Sequence, residues 1–353
     1  MDRLEARTDE LLDSLRKFAG RRIFAAVLGS PDPDGLASAW AFARIAAEVD
    51  VRVDILTFEV LSRPDNAAFV HLLGVPFKKV AARLPRVAYA GFAVVDRQNA
   101  RLPVAHRPDL TLIAHIDHHA PVRTRALFSE QTTAFGSTSS IMAHHLANVI
   151  EKHAGDLDEA SRIATALNYG IRTDTSDFLN ANARDFEAAS RLAPLVSTEM
   201  IRAIALTPLG RPFLDTLATA LRSMTTRDGF TIAFAGRVGR RARDTIGQTA
   251  DFVIRGEGTI ACVVFGFVNG SLVGSLRSSD SNLDPNHFLD QALSTRFGFP
   301  VDCGGRTFAG GFMIPTASVG AMDEETLRAT VAETLHAAWS ARARVRKGGT
   351  RRK

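Results

Sequence analysis

Apolar residues in the first half of the chain gather into four short runs, at 23–28, 51–58, 89–96 and 109–119. They are too short for helices and too continuous for half-exposed strands. Such runs predict strands buried on both faces, as in a parallel sheet. Between them the apolar positions take helical spacing. Leu4, Leu11, Leu12, Leu15 and Phe18 predict an amphipathic helix over 4–19, and the pattern returns at 37–47. A turn at 62–66 leads to a short helix ending at Leu73. Helices are also expected over 137–150, 158–168 and 183–195. This alternation argues for an α/β unit. After 197–212, punctuated by Pro208 and Pro212, the character changes. Strands are predicted at 230–238, 250–256, 258–270 and 271–278, with Asn269-Gly270 as a hairpin signal. A helix at 286–294, a glycine-rich turn at 303–312 and a last helix at 322–343 follow.

The residues that end the strands carry the chemistry. The first run passes into LGSPDPDGLAS, 28–38, where Asp32 and Asp34 sit on a turn stiffened by Pro31 and Pro33. The third ends in Asp96. The fourth ends in Asp117, His118 and His119. The polar turn GIRTDTSDF, 170–178, adds Asp174, with Asp177 nearby. Any one Asp here reads most simply as a helix cap. Parallel strands, however, bring all their ends to one sheet edge, where open α/β sheets bind ligands. Three or four carboxylates with one or two imidazoles and no thiolate suit Mn²⁺ or Mg²⁺. Two such cations about 3.5–4 Å apart can clamp a phosphoryl group and activate a hydroxide for in-line attack. A neighbouring histidine can protonate the leaving oxygen. His144 and His145, inside a predicted helix, read as ordinary helix residues.

Composition narrows the class. With 353 residues, 46% of them hydrophobic, two domains are expected. Cys262 and Cys303 make no disulfide framework, which fits a reducing compartment. No apolar run approaches a membrane span, and the charged N-terminus lacks a signal-peptide core. A soluble, cytoplasmic protein is the expectation. The net charge of +5 is misleading, because residues 340–353 hold seven basic side chains and no acidic one, which leaves −2 for the rest. That stretch reads as a disordered basic tail; attraction to nucleic acid is the weaker alternative.

Together these segments resemble the four motifs of the DHH phosphoesterases. DPDGLAS matches the D-x-D-x-x-x-S motif, VVDRQN supplies the lone Asp of the second, Asp117-His118-His119 is the naming triplet, and GIRTDTSDF resembles the fourth. The C-terminal half resembles the DHH-associated domain through SLRSS, 275–279, and CGGRTFAGGF, 303–312. The likeness spans roughly residues 20–335. It implies a parallel-sheet α/β catalytic domain (1–196), a linker (197–222) and a smaller α/β substrate-binding domain (223–339), with the active site in the cleft between them; 340–353 is the tail. It further implies Mn²⁺ or Mg²⁺, one or two ions per chain. Asp32 and Asp96 would hold one metal, and Asp34, Asp96, His118 and Asp174 the other. His119, with Asp117, would be catalytic. Arg277, Ser278, Gly304, Gly305 and Arg306 would grip substrate. The implied activity is hydrolysis of short oligoribonucleotides or of a small nucleotide such as 3′-phosphoadenosine 5′-phosphate, as in the nanoRNase branch, by a homodimer. A cyclic- or linear-dinucleotide phosphodiesterase is the alternative. Two residues depart from the pattern: Leu28 stands where the family usually has a metal-binding His, and Arg306 where its glycine-rich loop usually has His. A non-hydrolytic nucleotide sensor is the reading of a different class.

Overall fold

The apolar runs of the first half form the strands of one parallel sheet. In chain order these are β1 (Arg22–Val27), β2 (Arg52–Thr57), β3 (Phe77–Lys79), β4 (Gly91–Val95), β5 (Thr111–Asp117) and β6 (Phe128–Gln131). Their spatial order is β3-β2-β1-β4-β5-β6, every pairing parallel. β3 and β6, the two edges, were not expected from the pattern. The computed structural model describes residues 3–61, 64–81, 83–105, 110–150, 156–306 and 308–349. Two units divide it, Met1–Thr207 and Pro208–Lys353.

β1 shows why its run is continuous. Ile23, Ala25 and Val27 belong to the core that also holds Leu36, Trp40 and Phe42 of α2 (Pro33–Ala47). Phe24, Ala26 and Leu28 belong to a second cluster on the opposite face, with Leu56, Tyr89, Phe92 and Val94. Both faces are covered, so alternation has no reason to exist. Around the sheet stand α1 (Arg3–Arg16), α3 (Pro64–Leu73), α4 (Thr138–Ile150), α5 (Leu157–Asp174), α6 (Ala183–Leu192) and α7 (Thr198–Ala205). α5 runs six residues beyond its expected end. Gly170, read as part of a turn, is helical: a Cβ there would lie 2.3 Å from Ser139 Oγ and 3.1 Å from the Cα of Asp34. It is a glycine of close approach, where α5 meets α2 and α4. Asp174 therefore stands at a helix C-terminus rather than on a turn or strand end. His145 is buried between Thr8 (2.9 Å) and Glu130 (3.1 Å), a structural role as expected.

The second unit holds α8 (Arg211–Ser223), β7 (Thr225–Arg227), β8 (Phe230–Arg237), α9 (Thr245–Val253), β9 (Ala261–Val268), β10 (Ser271–Ser278), α10 (Pro285–Phe297), β11 (Asp302–Arg306), β12 (Ala309–Pro315) and α11 (Glu324–Gly349). Its sheet runs β11-β12-β10-β9-β8-β7, antiparallel except for β8 with β9. Asn269 and Gly270 turn β9 into β10 with φ of 46° and 76°, both left-handed as a type I′ turn requires. α10 and α11 share a core with one face of the sheet, and α8 and α9 share one with the other.

Four expectations give way here. Residues 250–256 do not form a strand; 250–253 are the last turn of α9, whose Ile246, Ala250 and Val253 fall on one buried face at helical spacing, and 254–256 turn away after it. The glycine-rich 303–312 segment is not a simple turn but the β11–β12 hairpin. The proposed linker 197–222 is occupied by α7 and by most of α8. Residues 340–349 are helical, not disordered. Trp339 stacks on Phe230 at 4.9 Å and donates its indole N–H to Asp228 O, and Arg342 pairs with Asp280 at 3.2 Å, so packing carries the helix into the basic stretch. Residues 350–353 lie outside the described residues. No described helix is long and apolar enough to cross a membrane.

Both thiols are held protonated. Burial pushes Cys262 up to about 12, and burial with the Asp290 and Asp302 charges pushes Cys303 up to about 11. At pH 8 the native protein should therefore react with iodoacetamide at under about a tenth of its rate after unfolding in denaturant. Equal rates, read by intact mass, would contradict this packing.

Candidate metal centre

The strand order reverses between β1 and β4, and ligand chemistry gathers at their C-terminal ends. After β1 the chain passes Gly29, at φ +81°, and enters α2. Asp32 is the N-cap, its carboxylate accepting from Gly35 N at 3.0 Å, and Pro33 follows inside the first turn. The capping reading of Asp32 is thus correct, yet the same carboxylate borders the site. A Cβ on Gly35 would lie 3.3 Å from Asp96 Oδ2 and 3.4 Å from Asp32 Oδ1, so both carboxylates flank that bare position.

Asp34, in the first turn of α2, is fully buried. Its two oxygens accept from the first backbone amides of α4: Thr138 N at 2.8 Å and Ser139 N at 2.6 Å. A helix N-terminus suits an anion for this reason. Asp185, also buried, accepts from Gly136 N at 2.8 Å and from Ser140 Oγ, holding the start of α4 in place. Asp96 follows β4 at φ +53° and accepts from Thr138 Oγ1 at 3.1 Å. His118 Nε2 lies 3.1 Å from Asp174 Oδ2 and 3.6 Å from Asp96 Oδ1.

One donor atom each from Asp34, Asp96, His118 and Asp174 lie within 4.8 Å of one another. A second group, Asp96, His118 and His119, meets the same limit. Asp32 belongs to neither. Asp177 does not approach: it is exposed and pairs with Arg172 at 2.8 Å. His118 Nε2 is buried with no aligned hydrogen bond despite its near carboxylate oxygens. Three carboxylates gathered this closely with an imidazole fit Mn²⁺ or Mg²⁺.

The electrostatics agree. Burial, and then the charges of Asp34, Asp32, Asp174 and Asp117, hold Asp96 well above the ordinary carboxylate range. Burial and the Asp174 charge raise Asp34, against His118 and the Ser139 hydrogen bonds. Burial alone would lower His118, but Asp174 beside it and the charges of Asp34 and Asp117 prevail and raise it. Crowded, buried carboxylates of this kind call for a cation.

His119 stands beside the cluster, its ring centroid 4.3 Å from that of His118 and its side chain partly exposed. Its Nδ1 is 2.7 Å from Oδ1 of the fully buried Asp117, which orients the ring and leaves Nε2 as the second ring nitrogen. In the second unit, register places Arg277 opposite Ala309 and Ala309 opposite Arg306, and Ser278 N bonds Phe308 O. Arg277 is held by Asp251, by Ser275 Oγ at 2.8 Å and by Leu276 O. Ser278 is buried, its Oγ accepting from Asp280 N at 2.9 Å. Gly304 and Gly305 pair with Gly311 and Gly310. The Arg306 side chain lies outside the described residues. Leu28 packs in the apolar cluster on the far face of β1 and offers no donor.

Thr138, Ser139 and Asp185 are the site residues that sequence reasoning missed. The Ser/Thr start of α4 was visible, but its bonds to Asp34 and Asp96 span about a hundred and about forty residues.

No family model matches the chain. It is 29% identical over 311 residues to an uncharacterized protein of Methanocaldococcus jannaschii, covering 87% of this chain and 61% of that protein. The chain thus spans less than two thirds of the curated relative it matches. Among solved structures it is similar to an exopolyphosphatase-related protein from Bacteroides fragilis, with a TM-score of 0.65, 14% identity, and coverage of 94% of this chain and 96% of that one. It is also similar to the exonuclease RecJ bound to manganese, with a TM-score of 0.50, 15% identity, and coverage of 95% and 94%. The chain shares the fold of these two proteins, and its donor cluster lies within the parallel-sheet unit of that fold.

Proposed function

We propose that the protein is a metal-dependent phosphoesterase of the DHH type. The observation that carries this reading is the convergence of Asp34, Asp96, His118 and Asp174 on one centre at the sheet's C-terminal edge. When bound there, a divalent cation supplies Lewis-acid polarisation of a phosphoryl oxygen and of water. Asp34 is held in place by the α4 amides, and Thr138 fixes Asp96. His119, oriented by Asp117, presents Nε2 as the group that gives a proton to the leaving oxygen. Arg277 and the β11–β12 hairpin are the proposed substrate contacts of the second unit.

The substrates proposed are short oligoribonucleotides or 3′-phosphoadenosine 5′-phosphate, with cyclic or linear dinucleotides as the alternative. The name of the Bacteroides relative adds inorganic polyphosphate to the panel. Assaying these and bis-p-nitrophenyl phosphate with Mn²⁺ or Mg²⁺ tests the reading. Turnover lost with chelator and restored by metal supports it. Cation and nucleotide binding without turnover of any substrate would instead favour the sensor reading, which the lack of a donor at Leu28 motivates.

The raised carboxylates set a pH dependence. Asp34 and Asp96 keep their protons to higher pH than ordinary carboxylates, so a cation must displace them. Mn²⁺ affinity should therefore climb as pH rises from about 5 to 8. Titration calorimetry in buffers of different ionisation enthalpy should show proton release on binding. Affinity independent of pH would contradict the cluster.

A further inference from the structure

The donor atoms of the cluster are not spread evenly over the strand ends. Both groups centre on Asp96 and His118, and Asp32, though it borders Asp96 across Gly35, is in neither. On the Asp32 side the first strand contributes Leu28, an apolar side chain turned into the far-face cluster. Among the described residues, a cation there would have two carboxylates and no imidazole grouped with Asp32. A different positive charge is already nearby. Arg97, the residue after Asp96, lays its guanidinium against Gly29, the residue after Leu28: a methyl on Gly29 would stand 3.1 Å from Nη1 and 3.5 Å from Cζ. Its backbone is pinned as well, the Arg97 carbonyl lying 2.7 Å from Nε2 of the buried His115. The side chain is exposed, so a ligand can reach it. Gly29, at φ +81°, supplies both the turn and the open face on which the guanidinium rests.

We infer that this site works with one divalent cation, and that Arg97 over Gly29 holds the substrate's phosphoryl group on the Asp32 side. This inference rests on the phosphoesterase reading above. Guanidinium is a permanent cation whose planar fork matches two phosphoryl oxygens, whereas a second cation would have only Asp32 and the Asp96 carboxylate already shared by both donor groups. Asp34, Asp96, His118 and Asp174 would hold the single cation, and Arg97 would neutralise phosphoryl charge on the Asp32 side.

The test uses the whole chain, Mn²⁺ and inorganic phosphate as the probe. Wild type should bind one Mn²⁺ by native mass spectrometry and show an uncoupled Mn²⁺ spectrum in electron paramagnetic resonance. Arg97→Ala should keep that stoichiometry and its folding transition, yet bind phosphate about tenfold or more weakly. Added guanidinium should restore part of the loss, and Arg97→Lys should fall between. In turnover the change should appear in KM more than in kcat. Two exchange-coupled Mn²⁺ ions in wild type would overturn the inference and leave the phosphoesterase reading standing. Unchanged phosphate affinity in Arg97→Ala would also overturn it. One Mn²⁺ with Arg97-dependent phosphate binding, but no hydrolysis of any phosphoester, would uphold the assignment of Arg97 and remove the phosphoesterase reading.

Discussion

Replacing Asp96 by Asn should abolish divalent-cation binding and slow metal-dependent hydrolysis on the order of a thousandfold, while raising the melting temperature of the metal-free protein. The two effects share one cause. Asp96 is common to both donor groups, so no other residue compensates for its oxygen. It is also the carboxylate crowded by Asp34, Asp32, Asp174 and Asp117. A carboxyl whose pKa is raised on folding stabilises the fold fully below its unfolded value, and that contribution is lost as pH rises through the folded value. The metal-free wild type should therefore melt at progressively lower temperature between about pH 5 and 8, and Asp96→Asn should flatten that slope. Asn also tolerates the left-handed backbone at this position, φ +53°. Calorimetry with and without Mn²⁺ reads both effects. A variant that binds Mn²⁺ as wild type does would remove Asp96 from the centre.

Gly170→Ala is expected to be the most damaging change that leaves every ligand in place. In an exposed helix this substitution would add about 1 kcal/mol of stability. Here the new methyl would meet Ser139 Oγ at 2.3 Å, Ser139 Cβ at 3.1 Å and the Asp34 backbone at 3.1 Å. Ser139 cannot simply rotate away, because its Cβ and the Asp34 Cα are part of the contact. The expected net cost is about 1–3 kcal/mol, together with weaker Mn²⁺ binding as Asp34 and α4 move apart. A higher melting temperature with unchanged Mn²⁺ affinity would show that the helices can separate freely.

The chain made the central strands easy to read and the edges hard. β4 is apolar throughout, and β1 and β5 largely so, because both faces are covered. β3 and β6 are three and four residues long, reading FKK and FSEQ, and carry too little pattern to separate from loop. The stretch 250–256 has strand-forming Phe, Val and Ile, but its buried positions begin at Ile246, and only the longer window shows helical spacing. Asp96, His118 and His119 are visible because a polar residue at the end of an apolar run is conspicuous, and Asp32 and Asp34 because they recur on the stiff turn that follows one. Asp174 is legible only as one of two carboxylates on a polar segment, with Asp177, and the resemblance picks it out; the segment looks like a turn because Gly170 and the polar residues after it mimic one. The roles of Ser139 and Asp185 could not be read at all. They depend on partners 105 and 49 residues away, which local pattern does not encode.

The two tryptophans of the chain fall one to each unit. Trp40 is buried in α2, on the helix that carries Asp34, and Trp339 is buried in α11 against Phe230. Each unit thus has its own intrinsic fluorophore. With Trp339→Phe the remaining emission follows the parallel-sheet unit alone, and with Trp40→Phe it follows the other. Denaturation curves from the two variants would reveal whether the units unfold as one cooperative block or separately. A shift in midpoint on adding Mn²⁺ in one variant, both or neither would show whether a cation stabilises the parallel-sheet unit alone or the whole chain.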